Sequence, residues 1–256
     1  MDSVQFSLTR YLYIKDDVYI SLIVSIFEKD FDKALFWASE IYYSMYEEEL
    51  ILFIETLYNN FYRSNNPHLG KLIKMGVSNY KEGIHILATL LKNLTSKVRT
   101  FTLSDFIENN PMPEILTDAR KKETKIWIFC NVDESEKYKF YNINERNYNI
   151  LKKVCIYDTV KVWGSVFECL HVGMNQKELY EAHIDKWLYY ASFSPLWELR
   201  INNYGGIIHH ETKTVTFEEE EQEEEFYNAY YYDIDEQPKN ILTKLTTIGA
   251  LYLTLV

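Results

Sequence analysis

The chain has 256 residues and a formal net charge of −11 at pH 7, and hydrophobic residues make up 47% of it against only 8 glycines and 5 prolines. This composition excludes an extensively disordered chain. The acidic balance argues against direct nucleic-acid binding, because phosphate recognition requires a basic surface. Basic residues near 92–99 and 120–125 could line a local basic groove, but a solvated helix face explains them more simply.

The cysteines and the N-terminus indicate an intracellular protein. Cys130, Cys155 and Cys169 have no metal-binding spacing and form no CxxC pair, which favours buried thiols in a reducing compartment. The first residues lack the basic segment followed by an apolar run that marks a signal peptide. The longest apolar run, 245–256, is shorter than the roughly 20 residues that cross a bilayer. We therefore expect no secretion signal and no membrane span.

The first hundred residues are predicted to be a bundle of helical hairpins. Apolar residues recur at helical spacing in three consecutive segments between 16 and 66, and two further helices are predicted before residue 95. Asp30 is placed to cap the second helix, so the link before it has only one or two residues and forces an antiparallel hairpin. Glutamates 47–49 begin the third helix at its positive dipole end.

Residues 101–256 are predicted to form a second, mainly helical region packed on the first. Lys125–Asn131 reads as one short strand, and 205–217 alternates enough to form a small hairpin. Thr216 and Glu219 match a capping box, which places the acidic run 218–225 in the first turns of a helix. The predicted fold class is thus mainly α, a multi-helix bundle or short helical stack with a small β-hairpin in the C-terminal half.

Two ExxH motifs raise the possibility of a di-metal enzyme. Glu82 with His85, and Glu168 with His171, would each place a carboxylate and an imidazole on one helix face, as di-iron bundles do. Such bundles also need bridging carboxylates from two further helices, whereas Glu55 falls on the polar side of its helix. No hydrolase, phosphate-loop or dinucleotide-binding motif occurs. We therefore predict no catalytic residue, no metal and no cofactor, with a metal-dependent oxidoreductase as the alternative.

The aromatic residues favour a protein interface. The chain has 22 tyrosines, many of them adjacent to one another, and a phenol offers apolar area with a polar tip. Base stacking is the weaker option because basic residues are not interleaved with the rings. Together with the acidic run, the aromatic clusters predict these interface residues: Tyr42, Tyr43, Trp187, Tyr189, Tyr190, Glu218, Glu219, Tyr230 and Tyr231.

Several phrases of the sequence carry a resemblance to viral proteins. LYIKDDVYISLI, FDKALFWASEIYYS and EEELILFIETLYNNFY followed by NP, and later WLYYASFSPLWELRI and YNAYYYDIDEQPKN, resemble a group of uncharacterised helical proteins encoded by large nucleocytoplasmic DNA viruses. The resemblance implies a viral protein made inside an infected cell, in the host cytoplasm, the virus factory or the virion. It supplies no catalytic residue.

A second similarity is architectural. The order of helix, short link, ALFW helix, acidic break, helix and NP is similar to the collar domains of clamp-loader ATPases, which implies a helical oligomerisation or docking surface. We therefore expect a non-enzymatic structural or protein-interaction protein that binds protein partners or a second copy of itself. The alternative is an accessory factor that docks on the viral replication or transcription machinery through the acidic helix.

Overall fold

The structure is a computed structural model that describes residues 6–97, 126–139, 149–160, 181–230, 232 and 234–245. These residues are mainly α-helical with one two-stranded antiparallel hairpin, which confirms the predicted fold class. They belong to two compact units: unit 1 contains 6–18, 149–160 and the residues from 181 onward, and unit 2 contains 19–97 and 126–139. The predicted division near residue 100 stays a prediction, because 98–125 lie outside the described ranges.

Unit 2 is a helical unit built from consecutive short-linked helices. Its first helix, α1, begins at the end of the first segment of unit 1, which stops at Val18. The helices are α1 (Lys15–Phe27), α2 (Phe31–Tyr42), α3 (Glu47–Leu57) continued by a π-helical turn (Tyr58–Tyr62), α4 (Leu69–Asn79) with a 3-10 turn (Tyr80–Glu82), α5 (Ile84–Ser96) and α6 (Val132–Ser135).

The link between α1 and α2 is as short as predicted because one residue ends the first helix and the next starts the second. Lys29 has a left-handed φ of 64°. Its amide donates to the Ile26 carbonyl at 3.1 Å, and the Asp30 amide donates to the Ser25 carbonyl at 3.0 Å, which together form a Schellman motif. The Asp30 carboxylate then accepts the Lys33 amide at 3.0 Å. The predicted cap of α2 is thus confirmed.

Helix α2 is buried along most of its length. Eight consecutive residues, from Ala34 to Ile41, are buried, and the Trp37 ring packs edge to face on Phe36 at a centroid distance of 4.8 Å. The helix ends in a second Schellman motif, in which Met45 has a φ of 68° and the Tyr46 amide donates to the Ile41 carbonyl at 3.3 Å. This motif turns the chain directly into α3.

Unit 1 combines short helices with the hairpin. Its elements are α7 (Ile150–Val154), a π-helical turn (Glu181–Asp185), α8 (Trp187–Ala191), α9 (Pro195–Asn203), β1 (Gly206–His209), β2 (Thr214–Phe217), α10 (Glu220–Tyr230), a 3-10 turn (Ile234–Glu236) and α11 (Lys239–Leu245). The centre of the unit is the fully buried Trp197, whose indole donates to the Thr9 carbonyl at 2.9 Å. Its ring contacts Trp187, Tyr230 and Tyr232 at centroid distances of 5.4, 6.0 and 5.9 Å.

The hairpin is confirmed, but the capping box predicted after it is wrong. Thr216 lies in β2, opposite Ile207, and its hydroxyl is 2.8 Å from the His209 Nε2. The ladder continues to Phe217, so α10 begins only at Glu220. Thr216 cannot cap α10 because strand pairing already uses it.

The strand predicted at Lys125–Asn131 is also wrong. Residues 126–131, here called the strap, belong to no sheet. Side chains of α5, and of Lys97 directly after it, take the place of a partner strand. The Asn93 amide nitrogen donates to the Ile128 carbonyl at 2.8 Å, while its oxygen accepts the Ile128 amide at 3.1 Å. The Thr89 hydroxyl accepts the Cys130 amide at 3.0 Å, and the Lys97 ammonium donates to the Ile126 carbonyl at 3.1 Å.

The spacing of these bonds explains why a helix can replace a strand. Two of these side chains belong to α5 and the third to Lys97, the residue directly after it. The three recur every four residues, a helical rise of about 6 Å. The strap residues that they bind recur every two residues, which in an extended chain is about 6.6 Å. The match holds the strap extended and antiparallel to α5.

Candidate protein-interaction site

The predicted interface residues are divided between the two units. Tyr42 and Tyr43 lie at the end of α2 in unit 2, half-buried, with their rings edge to face at a centroid distance of 5.1 Å. Trp187, Tyr189 and Tyr190 lie in α8 of unit 1 and are buried. Burial assigns these three rings to packing within unit 1.

The acidic half of the predicted interface lies beside the hairpin. Glu218 and Glu219 are exposed in the turn between β2 and α10. Tyr230 is half-buried and packs on Trp197, whereas Tyr231 lies outside the described residues. Among the described residues of this region, the exposed side chains are therefore acidic, and the Tyr230 ring is turned towards the unit.

Unit 2 contains a groove that combines tyrosine rings with glutamates, and we call it the tyrosine groove. It has a volume of about 630 Å³. One part of the groove is formed by the end of α2, the turn at Met45 that follows it, and the first residues of α3. The 3-10 turn after α4 contributes the rest. The lining residues are Tyr42, Met45, Tyr46, Glu47, Glu48, Glu49, Leu52, Tyr80 and Lys81.

The charge of the tyrosine groove is negative. Three glutamates of the first turn of α3 line it, against a single lysine, Lys81, whose ammonium lies 5.7 Å from the centre of the Tyr80 ring. Burial raises the pKa of the Tyr42 phenol, and the charges of Glu47 and Glu136 raise it further. The phenol therefore stays neutral at physiological pH, so its ring remains an uncharged face beside carboxylates.

This combination suits a cationic side chain. Carboxylates attract an ammonium or guanidinium group, and tyrosine faces add cation–π attraction. Met45 and Leu52, which are 42% and 51% exposed, add apolar area to the same groove. Long basic side chains have apolar stems and a charged head, and both parts find matching surfaces here.

The residues of the first ExxH motif do not share a helix. Glu82 ends the 3-10 turn, and Gly83 at φ 146° separates it from α5, which carries His85. The second motif, Glu168 and His171, lies outside the described residues. Within the described ranges, no group of three or more histidine, cysteine or acidic side chains is arranged to hold a metal ion.

The described cysteines are buried free thiols, as expected for Cys130 and Cys155. Burial raises the pKa of the Cys130 thiol to about 12, and its hydrogen bond to the Glu134 carboxylate contributes to the same shift. Cys130 is thus protonated at physiological pH and is a poor nucleophile.

Of the residues that line the tyrosine groove, the sequence prediction of the interface included only Tyr42. The run YYSMYEEE joins tyrosines to glutamates within eight residues, and this local signal could also have indicated Tyr46 and the three glutamates, which the prediction missed. Tyr80 and Lys81 come to the groove through the packing of α4 against α3. A pattern along the chain has no access to such a contact.

No protein-family profile, curated protein or solved structure matches this chain. Among the described residues, every helix is too short or too polar to span a bilayer.

Proposed function

We propose that this chain is a non-enzymatic interaction protein of a large DNA virus, and that its tyrosine groove binds a basic segment of a partner protein. The partner is a component of the virion, of the assembly pathway or of the replication compartment. The observation that carries the proposal is the lining of one groove by three glutamates, three tyrosines and exposed apolar side chains. The viral setting comes from the resemblance of the helical phrases.

Charge complementarity selects the occupant of the groove. A neutral apolar peptide would leave the glutamates facing an uncharged surface, and an acidic segment would be repelled. A segment with two or more lysines or arginines satisfies the carboxylates and lays its apolar stems on Met45 and Leu52. Such binding is electrostatic in part, so it weakens as salt is added.

The test measures binding of the full chain to three peptides of equal length, one lysine- and arginine-rich, one neutral and one glutamate-rich, by fluorescence anisotropy. We expect the basic peptide to bind most tightly, and Glu48→Lys combined with Glu49→Lys to weaken it at least ~10-fold, about 1.4 kcal/mol. Glu224→Lys combined with Glu225→Lys on α10 is the matched control and should change affinity less than about 3-fold. Equal affinity for all three peptides, or equal losses in both variants, would contradict the proposal.

A second candidate function is docking on the viral replication or transcription machinery through α10. The observation that favours it is the exposure of the glutamates along this helix, while Phe226 anchors it in unit 1. Neutralising the exposed residues 220, 221 and 223–225 as glutamines keeps the helix. Retention of the same partners from infected-cell lysate by this variant and by the wild type would remove this candidate.

A further inference from the structure

Among the described residues, the backbone of 126–130 is hydrogen bonded along one edge. Ile128 and Cys130 bind side chains of α5, and Ile126 binds Lys97, the residue after it. In an extended chain the residues between them direct their amides and carbonyls to the opposite edge. Those residues are Trp127 and Phe129. Their backbone groups make no hydrogen bond within the described part of the chain.

The open edge has the composition of a strand. Ile126 and Phe129 are 74% and 66% exposed, and residues 126–131 contain no charge. Branched and aromatic side chains favour extended pairing. An exposed, uncharged edge of this kind is a template for one more strand, and soluble proteins normally protect such edges with charge or proline.

We propose that the strap pairs with the strap of a second copy of this chain, as antiparallel strands related by a twofold axis at Ile128. In this register Trp127 opposes the partner's Phe129, and Phe129 opposes the partner's Trp127. Each of these two pairs exchanges two backbone hydrogen bonds and brings two aromatic rings together. The open backbone groups of both copies are then satisfied.

A second copy is the occupant that this edge fits because the edge is self-complementary. Trp127 and Phe129, whose backbone groups face the open edge, lie one position on either side of Ile128, so a twofold axis places each opposite the other kind of ring. The segment contains no charge, so two straps meet without direct like-charge repulsion. The interaction uses residues distinct from those of the tyrosine groove.

The dimer is expected to be weak and to respond to salt. Three paired residues bury far less than the roughly 800 Å² per partner of a stable dimer. Each copy also carries a net charge of −11, so added salt favours association by screening the repulsion between copies. Basic-peptide binding in the groove responds to salt in the opposite direction, so failure of one proposal is distinguishable from failure of the other.

Sedimentation equilibrium of the full chain tests the proposal, at concentrations from ~10 µM to ~1 mM and at low and high salt. We expect a monomer–dimer equilibrium that strengthens with salt. Phe129→Lys should weaken it at least ~10-fold, because a charged edge blocks strand pairing. Val132→Lys adds the same charge at a position that is 52% exposed and outside the edge, and should leave the equilibrium within about 3-fold. A strictly monomeric wild type, or equal effects of both variants, would overturn the proposal.

A crosslinking experiment tests the register independently of these charge variants. Residues at a non-hydrogen-bonded antiparallel position have Cα atoms about 4.5 Å apart, within the range that a disulfide spans. Ile128→Cys should therefore form a disulfide-linked dimer on mild oxidation. Val132→Cys, four residues further from the twofold axis, should not exceed the background of the native cysteines. Equal crosslinking of the two variants would exclude this register.

Discussion

Asn93 offers the sharpest test of how unit 2 holds its strap, through the substitution Asn93→Asp. The side chain is fully buried, and its nitrogen donates to the carbonyls of Thr89 and Ile128, both at 2.8 Å, while its oxygen accepts the Ile128 amide. Aspartate has the same shape and keeps the acceptor. It loses both donated bonds and turns an oxygen towards two carbonyl oxygens.

The expected cost follows from these three contacts. Two lost hydrogen bonds account for about 2 kcal/mol, and the burial of a carboxylate beside two carbonyls adds at least ~1 kcal/mol. We therefore expect the free energy of unfolding to fall by about 3 kcal/mol at pH 7. In the folded variant the introduced carboxyl has a pKa above its unfolded value of about 3.9. The destabilisation is thus smallest below pH ~4 and grows as the pH rises through the folded pKa.

Urea unfolding at pH 7 and near pH 4 measures both parts of this prediction. Amide hydrogen exchange at Ile128 adds a local measurement, because release of the strap exposes that amide. Asn60→Asp, on an exposed residue of the π-helical turn, is the matched control and should stay within ~0.5 kcal/mol of the wild type. A loss below ~1 kcal/mol for Asn93→Asp at pH 7 would refute the reasoning that this amide holds the strap.

Three further predictions concern single residues. Lys29→Gly should raise the free energy of unfolding by about 1 kcal/mol in urea titrations, since the φ of 64° at this residue favours glycine. A gain of the same size in Lys29→Ala would contradict this reason. Gly83→Ala should lower the free energy of unfolding by about 1–3 kcal/mol in the same assay, because φ is 146° and the added Cβ would lie 2.9 Å from the His85 Nδ1. An unchanged unfolding midpoint would contradict this prediction. Cys130 should react with iodoacetamide at pH 8 roughly a thousandfold more slowly in the folded chain than in urea, because its thiol pKa is raised to about 12. Peptide mass spectrometry measures both rates, and equal rates would contradict this prediction.

The parts of the fold that could be predicted are those determined by residues close together in sequence. Asp30 caps the helix that it precedes, and Glu47 lies in the first turn of α3, because both interactions are made within one helical turn. The hairpin at 205–217 was predictable for the same reason. The mainly α fold class was predictable from the helical spacing of apolar residues, which can be read without knowing the partner helix.

The strap shows why the rest could not be predicted. Residues 126–131 belong to no sheet, and whether such a segment pairs with a strand or with helix side chains depends on Asn93, more than thirty residues away. The residues of the tyrosine groove could not be predicted for the same reason. A tyrosine pair on a helix reads alike whether it lines a groove, as Tyr42 does, or is buried, as Tyr190 is.

The enclosure of α2 has a consequence for how this protein can change over evolutionary time. A helix buried along eight successive residues has no side on which a substitution is free of neighbours. Inserting or deleting one residue there would rotate everything beyond it by about 100°. Tyr42 would then point away from its present neighbours. Sequence drift should therefore be slow in this helix, and descendants of this chain should not vary in length there.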